Sequence, residues 1–489
     1  MLLRGTRVER GRFPTVTRAP MLLAELQRCL DAGMHESAVA AADALLAAQR
    51  RSFPARLGRA RANLSLGRVM DADQDIAEAL RLMPQDPQAG LIRAQVDHRL
   101  GRIDAAVERL RALSRSGGPL GVEATVVLSE VLHFAHRHAD LAALVAAGGA
   151  WSKDPRSALA AARVLARERP ADAIEALRPL ACAAHGPVMH RVAGFEVVQL
   201  LDRTGRFREA FELAAALHAA TTPPYDLEGL LLGIRDQREM VERGGPAFRP
   251  RCDPVEGVAI MVALPRSGTT LLEQMLDRHP AIAGIGEYEG IERVGAALVS
   301  TGLWPRGLGM LQPAAAAALR GLYVDPLARM RRPGAAWSLD KTLCAWQWIP
   351  ALACVLPGAR CIHVERDPRD MAISMFLSFF NPRHYGWMSS LGAIRQVIEA
   401  HRSIVRPALS ALGVPHESIA YERLVEDPAA HAQRCLGLLG VPMDPAVLAP
   451  EANARSVLTL SHEQVRRPIN ASSIGRWRNY EWAFDRSWR

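Results

Sequence analysis

Gly33, Gly67 and Gly101 stand 34 residues apart in a stretch that is otherwise almost wholly helical in pattern. From Met21 to about Gly244, apolar residues recur at i, i+3 and i+4. Each glycine closes one helical run and precedes another, at Ala38–Ala48, Asp71–Leu82 and Asp104–Leu113. The phrase returns at Gly205 in LDRTGRFREAFELAA. A helix pair of this period buries its apolar face only against the next pair, so the first half is committed to a stacked all-α layer. The period weakens over residues 120–200, and a small residue at the expected crossing point is present at Ala79 but replaced by Leu45 and Leu113. A general helical bundle is therefore the alternative reading. No catalytic constellation lies in this half, which suits binding a partner or presenting a substrate.

The period is similar to that of tetratricopeptide repeats. We expect three segments among the 489 residues: a loose arm at 1–20 (basic through Arg4, Arg7, Arg10 and Arg12), a tetratricopeptide-like domain at 21–244, and an α/β domain at 245–489. Charged residues make up 23% and the net charge is +9, which excludes disordered, collagen-like and coiled-coil chains. The basic excess suits anionic ligands without implying nucleic acid. Seven scattered cysteines with no CxxC pair fit reduced thiols and a cytoplasmic setting. No apolar run is long enough to span a membrane. Of the 60 basic residues only Lys153 and Lys341 are lysine. In so arginine-rich a background, a surviving lysine marks a place where one compact ammonium is needed, or chance.

Beyond the linker RPRCDP the pattern changes to alternating strands and helices. Gly257–Leu264 reads as a buried parallel strand, Pro265–Gly268 as a turn and Thr269–Asp277 as a helix. Further strands are expected at Ile282–Ile285, Trp337–Leu339, Cys361–Val364 and Ser418–Tyr421, with a helix from Pro368 to about Phe379. The fold class is thus an α/β P-loop-like domain, a parallel sheet flanked by helices, preceded by the helical repeats. Ligands bind such a sheet at the C-terminal strand ends.

The strand–turn–helix VALPRSGTTLLEQML offers main-chain N–H groups and a helix N-terminus to a phosphate or sulfate. It lacks the lysine of the nucleotide-triphosphate P-loop, since Gly268 is followed by Thr269 and Thr270. No acid stands in an obvious metal-holding position after an apolar strand, although Glu365 and Asp367 lie close by in HVERDPRD. Magnesium-dependent phosphoryl transfer is disfavoured on both counts.

PRSGTTLLEQMLDRHP, HVERDPRDMAISMF, YERLVEDP, and VRRPIN with SSIGRW together resemble the nucleotide-binding segments of sulfotransferases. The arrangement is similar to bacterial tetratricopeptide-repeat sulfotransferases and, more distantly, to tyrosylprotein sulfotransferases. The resemblance implies transfer of a sulfuryl group from 3′-phosphoadenosine-5′-phosphosulfate (PAPS) to an acceptor hydroxyl on a protein tyrosine, a glycan or a small molecule, without a metal. It further implies that Arg266, Ser267, Gly268, Thr269 and Thr270 cradle the 5′-phosphosulfate and that Arg366 and Ser374 hold the 3′-phosphate. Tyr421 would lie near the adenine, and Arg467, Asn470 and Arg476 would close over the nucleotide. Glu287 would be the base, Lys341 would steady the bridging oxygen and Ser461 would assist the transferring sulfuryl. Plainer readings remain: Asp367 as a helix cap, Tyr421 as a core tyrosine, Ser461 as a cap, Arg467 and Arg476 as solvated cations. Glu289 stands where the tyrosylprotein enzymes carry an arginine, which puts an acidic peptide acceptor in doubt. The partner is then a hydroxyl-bearing acceptor, including a peptide or protein engaged by the repeats. The alternatives are an inactive repeat scaffold and a P-loop kinase-like enzyme. Loops Leu303–Gly309 and Asn381–Ser389 are expected to shape the acceptor pocket.

Overall fold

The computed structural model describes residues 18–182, 184, 186–244, 250–453, 455 and 466–488. Ser461 lies outside them. The chain divides into two compact units, residues 1–135 with 148–154, and residues 136–147 with 155–489.

The first unit is a run of antiparallel helices: α1 Arg18–Asp31, α2 His35–Ala48, α3 Phe53–Ser65, α4 Val69–Leu82, α5 Pro87–Arg99, α6 Ile103–Ser114 and α7 Gly118–Phe134. The periodic glycines sit in the tight turns α1–α2, α3–α4 and α5–α6, at φ +67°, +79° and +74°. Each turn closes in the same way. The N–H after the glycine reaches back to a carbonyl inside the helix, Met34 to Cys29 at 2.9 Å, Arg68 to Asn63 at 2.8 Å and Arg102 to Asp97 at 2.8 Å. That bond requires a left-handed residue in the glycine's place, which is why glycine recurs. The N-terminal ends of α3 and α5 are set by Ser52 and Asp86, whose side chains accept from Ala55 and Ala89 N–H.

The second unit begins with α8 His138–Ala147, α9 Ser157–Leu165, α10 Pro170–Leu177, α11 Gly186–Arg203, α12 Phe207–Thr221 and α13 Leu227–Arg243. The α/β part follows as β1 Val258–Val262, α14 Thr269–Leu276, β2 Ile282–Gly286, α15 Gly290–Ser300, α16 Pro313–Met330 and β3 Trp337–Asp340. It continues with α17 Ile349–Val355, β4 Arg360–Glu365, α18 Pro368–Phe376, α19 Pro382–Tyr385, α20 Leu391–Ala411, β5 His416–Ala420, α21 Tyr421–Glu426 and α22 Pro428–Leu439. The five strands form one parallel sheet in the order β2-β3-β1-β4-β5. Every expected strand is present.

β1 is buried along its whole length, as the unbroken apolar run predicts. Ala259, Met261 and Ala263 enter one core with Leu272, Met275 and Leu436 of α14 and α22. Val258, Ile260, Val262 and Leu264 face the opposite core with Leu352, Ile373 and Ile398. That second core runs on without a break into Phe195, Leu201, Leu217 and Val241 of α11–α13. Helices read from the sequence as the C-terminal part of the repeat array thus pack with the sheet, and by compactness the chain divides near residues 135–155 instead of at 244. Helical periodicity reports which face is apolar and does not report what covers it. α18 also ends at Phe376, three residues before the expected limit.

Candidate active site

All five strands deliver a chemistry-bearing residue at their C-terminal ends: the loop 263–268 after β1, Glu287 after β2, Lys341 after β3, Arg366 after β4 and Tyr421 after β5. Brought together on one edge of a parallel sheet, they occupy the place where such folds bind ligands.

The loop after β1 is held in an unusual backbone. Arg266 adopts φ +65° and Gly268 φ +100°. A Cβ on Gly268 would come within 2.2 Å of the Tyr421 ring, so only glycine lets the loop turn against that ring. The loop is fixed by Ser267 Oγ, which donates to the Leu264 carbonyl at 2.8 Å. α14 then starts at Thr269, and the N–H groups of Leu271 and Leu272 donate to the Gly268 carbonyl at 3.1 and 3.3 Å. Thr269 and Thr270 are buried beside them.

Three arginines converge on this loop. Arg266 Nε donates to Ser374 Oγ of α18 at 2.7 Å. Arg366 donates to the carbonyls of Arg266, at 2.9 Å, and Ser473, and its guanidinium lies 4.6 Å from the centre of the Tyr421 ring. Burial pushes Arg266 down to about 10, and its neighbours Arg366 and Arg476 push the same way. Burial also lowers Arg366, the Tyr421, Asp370 and Glu422 groups opposing it and Arg476 adding to it. Buried guanidiniums that depress one another favour a bound anion.

Asp367 is the cap of α18, its side chain accepting from Arg369 N–H at 2.8 Å, with Pro368 in the first turn. Asp370 is buried and accepts from the main-chain N–H groups of Gly475, at 2.7 Å, and Trp477, at 2.9 Å. It thereby ties the C-terminal segment carrying Arg476 to the helix after β4. Arg467 and Asn470 are exposed, and Asn470 turns to its own neighbours Pro468 and Ser472. The structure does not bring these two into the arginine cluster.

On the other side of β1, Lys341 is 2% exposed and its Nζ donates to Glu287 Oε1 at 2.7 Å, while Glu287 is 46% exposed. The backbone fixes both, since Lys341 N–H donates to the Gly286 carbonyl at 2.9 Å. Beneath Lys341, the Asp340 carboxyl accepts from Tyr323 hydroxyl at 2.8 Å and from Thr342 N–H at 2.8 Å. Burial pushes it up to about 7, against these hydrogen bonds. Glu273 on α14 accepts from Gly286 N–H at 2.8 Å and pairs with Arg455 at 2.7 Å, which anchors the strand end that presents Glu287. Glu289 pairs with Arg293 one turn along α15, at 2.8 Å.

Asp370, Glu273 and Asp340 escaped the sequence reading, because an acid beside a motif looks the same whether it caps, anchors or faces solvent. The spacing of Arg366 and Asp370, i to i+4 across a helix start, was the one available signal. Among the described residues no group of three or more His, Cys, Asp or Glu is placed to hold a metal ion, and no helix is long and apolar enough to cross a membrane.

The Sulfotransferase family profile matches residues 259–445, which contain the functional ends of all five strands, the loop between β1 and α14 among them. An uncharacterized protein of Aquifex aeolicus is 25% identical over 310 residues, 59% of this chain and 40% of that one. Protein-tyrosine sulfotransferase 1 of Danio rerio is 25% identical over 232 residues, 44% of this chain and 63% of that one. The chain thus spans less than two thirds of the length of these curated relatives. Among solved structures, the sulfotransferase domain of the Synechococcus PCC 7002 olefin synthase aligns over 48% of this chain and 96% of its own, with 20% identity and a TM-score of 0.32. Residues 259–445, less than half of the chain, are thus similar to the sulfotransferase family.

Proposed function

We propose that the chain transfers a sulfuryl group from PAPS to the hydroxyl of a protein tyrosine, glycan or small molecule. The observation that carries this reading is the convergence of Arg266, Arg366 and Arg476 beside the N-terminus of α14, next to the Lys341–Glu287 pair. The fit to a bis-phosphorylated nucleotide has a further sign. Arg366 Nε is buried and has no hydrogen-bond partner among the described residues, so a donor is kept for a group the protein does not supply.

In this reading Ser267, Gly268, Thr269, Thr270 and Arg266 bind the 5′-phosphosulfate, and Arg366 with Ser374 binds the 3′-phosphate through the guanidinium's paired donors. Tyr421 lies under the nucleotide side of Arg366, with Arg476 closing from the C-terminal segment. Glu287 takes the acceptor's proton. Lys341 has three ammonium donors, so it can pair with Glu287 and still donate to the bridging oxygen as charge develops there. Ser461 assists at the sulfuryl group. The first unit is a tetratricopeptide-like array that engages an acceptor or partner protein, and the setting is cytoplasmic.

Calorimetry and thermal melting with 3′-phosphoadenosine-5′-phosphate test the reading. At about 100 times Kd this ligand should stabilise the fold by about 2.7 kcal/mol, whereas ATP with Mg²⁺ should not match it. No shift at saturation would remove the proposal. Arg366→Ala should weaken this nucleotide about 10- to 100-fold while adenosine 5′-phosphate, which lacks the 3′-phosphate, loses little; equal losses would reassign Arg366.

A further inference from the structure

Three side chains from α11 and α12 reach the elements that build the arginine cluster. Gln199 Nε2 donates to the Leu377 carbonyl at 2.6 Å. His218 Nε2–H donates to the Phe376 carbonyl at 2.9 Å. Both carbonyls close α18, the helix whose Ser374 holds Arg266. One turn beyond Gln199, Asp202 accepts from the Arg476 guanidinium and, on its other oxygen, from the Tyr480 hydroxyl at 2.7 Å.

The Asp202 side chain is 6% exposed. A carboxylate so deep needs a cation beside it, and Arg476 provides one. Arg476 in turn lies near enough to Arg266 and Arg366 to depress both. Three like charges gathered at one site repel one another, and Asp202 offsets that repulsion for the one that comes from the chain's last segment. The pairing still leaves Arg476 donors for a phosphate, because a guanidinium carries five N–H groups. Tyr480 holds the carboxylate from behind, and its buried ring packs 5.4 Å from Phe207 of α12.

We infer that Asp202 is a positioning residue of the nucleotide site: it aims Arg476 at the phosphates, and it makes α11, a helix with a repeat-like sequence, one wall of that site. The inference rests on the reading of the site as one for 3′-phosphoadenosine-5′-phosphate and its sulfated form.

The test is calorimetry of the full chain with 3′-phosphoadenosine-5′-phosphate at fixed ionic strength, for the parent, Asp202→Asn, Arg476→Ala and the double variant. Each single change should weaken binding about 10-fold, and the double variant should be no weaker than Arg476→Ala alone, since Asp202 acts through Arg476. In steady state Asp202→Asn should raise KM for PAPS and leave KM for the acceptor unchanged. Losses that multiply, parent-like affinity in either single variant, or tighter binding in Asp202→Asn would each overturn the inference. If Asp202→Asn does not fold, Tyr480→Phe keeps the charge and removes its one hydroxyl support; about threefold weaker binding is expected, and unchanged affinity refutes the role. A parent that fails to bind the nucleotide would instead remove the proposed function on which the inference rests.

Discussion

Arginine does opposite work in the two units. In the first, buried acids neutralise it: Asp75 accepts from Arg56 at 2.8 Å and from Arg59 at 2.7 Å, and Asp97 from Arg93 and, at 3.3 Å, from Arg102. The Asp75 pairs join α3 to α4, Arg93 meets Asp97 within α5, and Arg102 reaches Asp97 from the start of α6; none needs a ligand. At the strand ends of the second unit, Arg366 turns to main-chain carbonyls and Arg266 to a serine hydroxyl, with Asp370 4.0 Å from Arg366 and Asp202 on Arg476. A carbonyl or hydroxyl orients a guanidinium without cancelling its charge. The difference teaches that arginine content says little about function, and that the partner of each arginine says a great deal.

The sharpest way to break this comparison is to remove each helical region in turn. Deleting residues 1–135 should leave binding of 3′-phosphoadenosine-5′-phosphate intact. A chain beginning at 245 loses Phe195, Leu201, Leu217 and Val241 from the sheet's core and the Gln199 and His218 caps from α18. It should be insoluble or bind no nucleotide. Soluble, binding-competent protein from that shorter chain would show that 244 is the true boundary and that α11–α13 are dispensable.

Next in size is Lys341. Its ammonium is realised mainly in the transition state, so Lys341→Ala should lower kcat by about 10²- to 10³-fold with little change in nucleotide affinity. Lys341→Arg should restore little, because a planar fork must fit where a 2%-exposed ammonium meets Glu287. Full activity in the arginine variant would make the lysine a relic of chance. The other lysine, Lys153, is exposed on a short turn of the first unit. Its replacement by arginine should change nothing measurable.

The smallest effect is common to both units. Burial lowers His98 in the first and His218 and His363 in the second to about 4 from an ordinary 6.5. These rings are neutral in the fold, while the unfolded chain takes up protons first as pH falls. Stability should therefore hold above about pH 6.5 and decline between about 6.5 and 4, by at most about 1.4 kcal/mol per pH unit for each histidine. Melting temperatures across that window should show the decline, and His363→Gln should make it shallower. A flat profile in the parent would mean that these rings do not stay neutral.

The loop 265–270 and the strand ends were legible because strand, tight turn and helix start are neighbours in the chain, and the lysine's rarity pointed at Lys341 without any structure. Three of the four α/β motifs lie at strand ends, those of β1, β4 and β5, for the same reason. What went unread was every contact that needs two distant segments. Asp340 looks like a strand residue until Tyr323 is placed over it, and Glu273 looks like a helical surface acid until Gly286 N–H meets it.

The sequence by itself determined the elements: the periodic glycines, the buried β1 run, the cap at Asp367, and the anion-binding turn. Each follows from dihedral preference or from the spacing of apolar residues over a few turns. Only the tertiary structure decided which helices the sheet keeps and which carboxylate each arginine meets. Asp202 and Arg476 are 274 residues apart. No local preference links residues so far apart, and only the packing of α11 with the rest of its unit's core sets their distance.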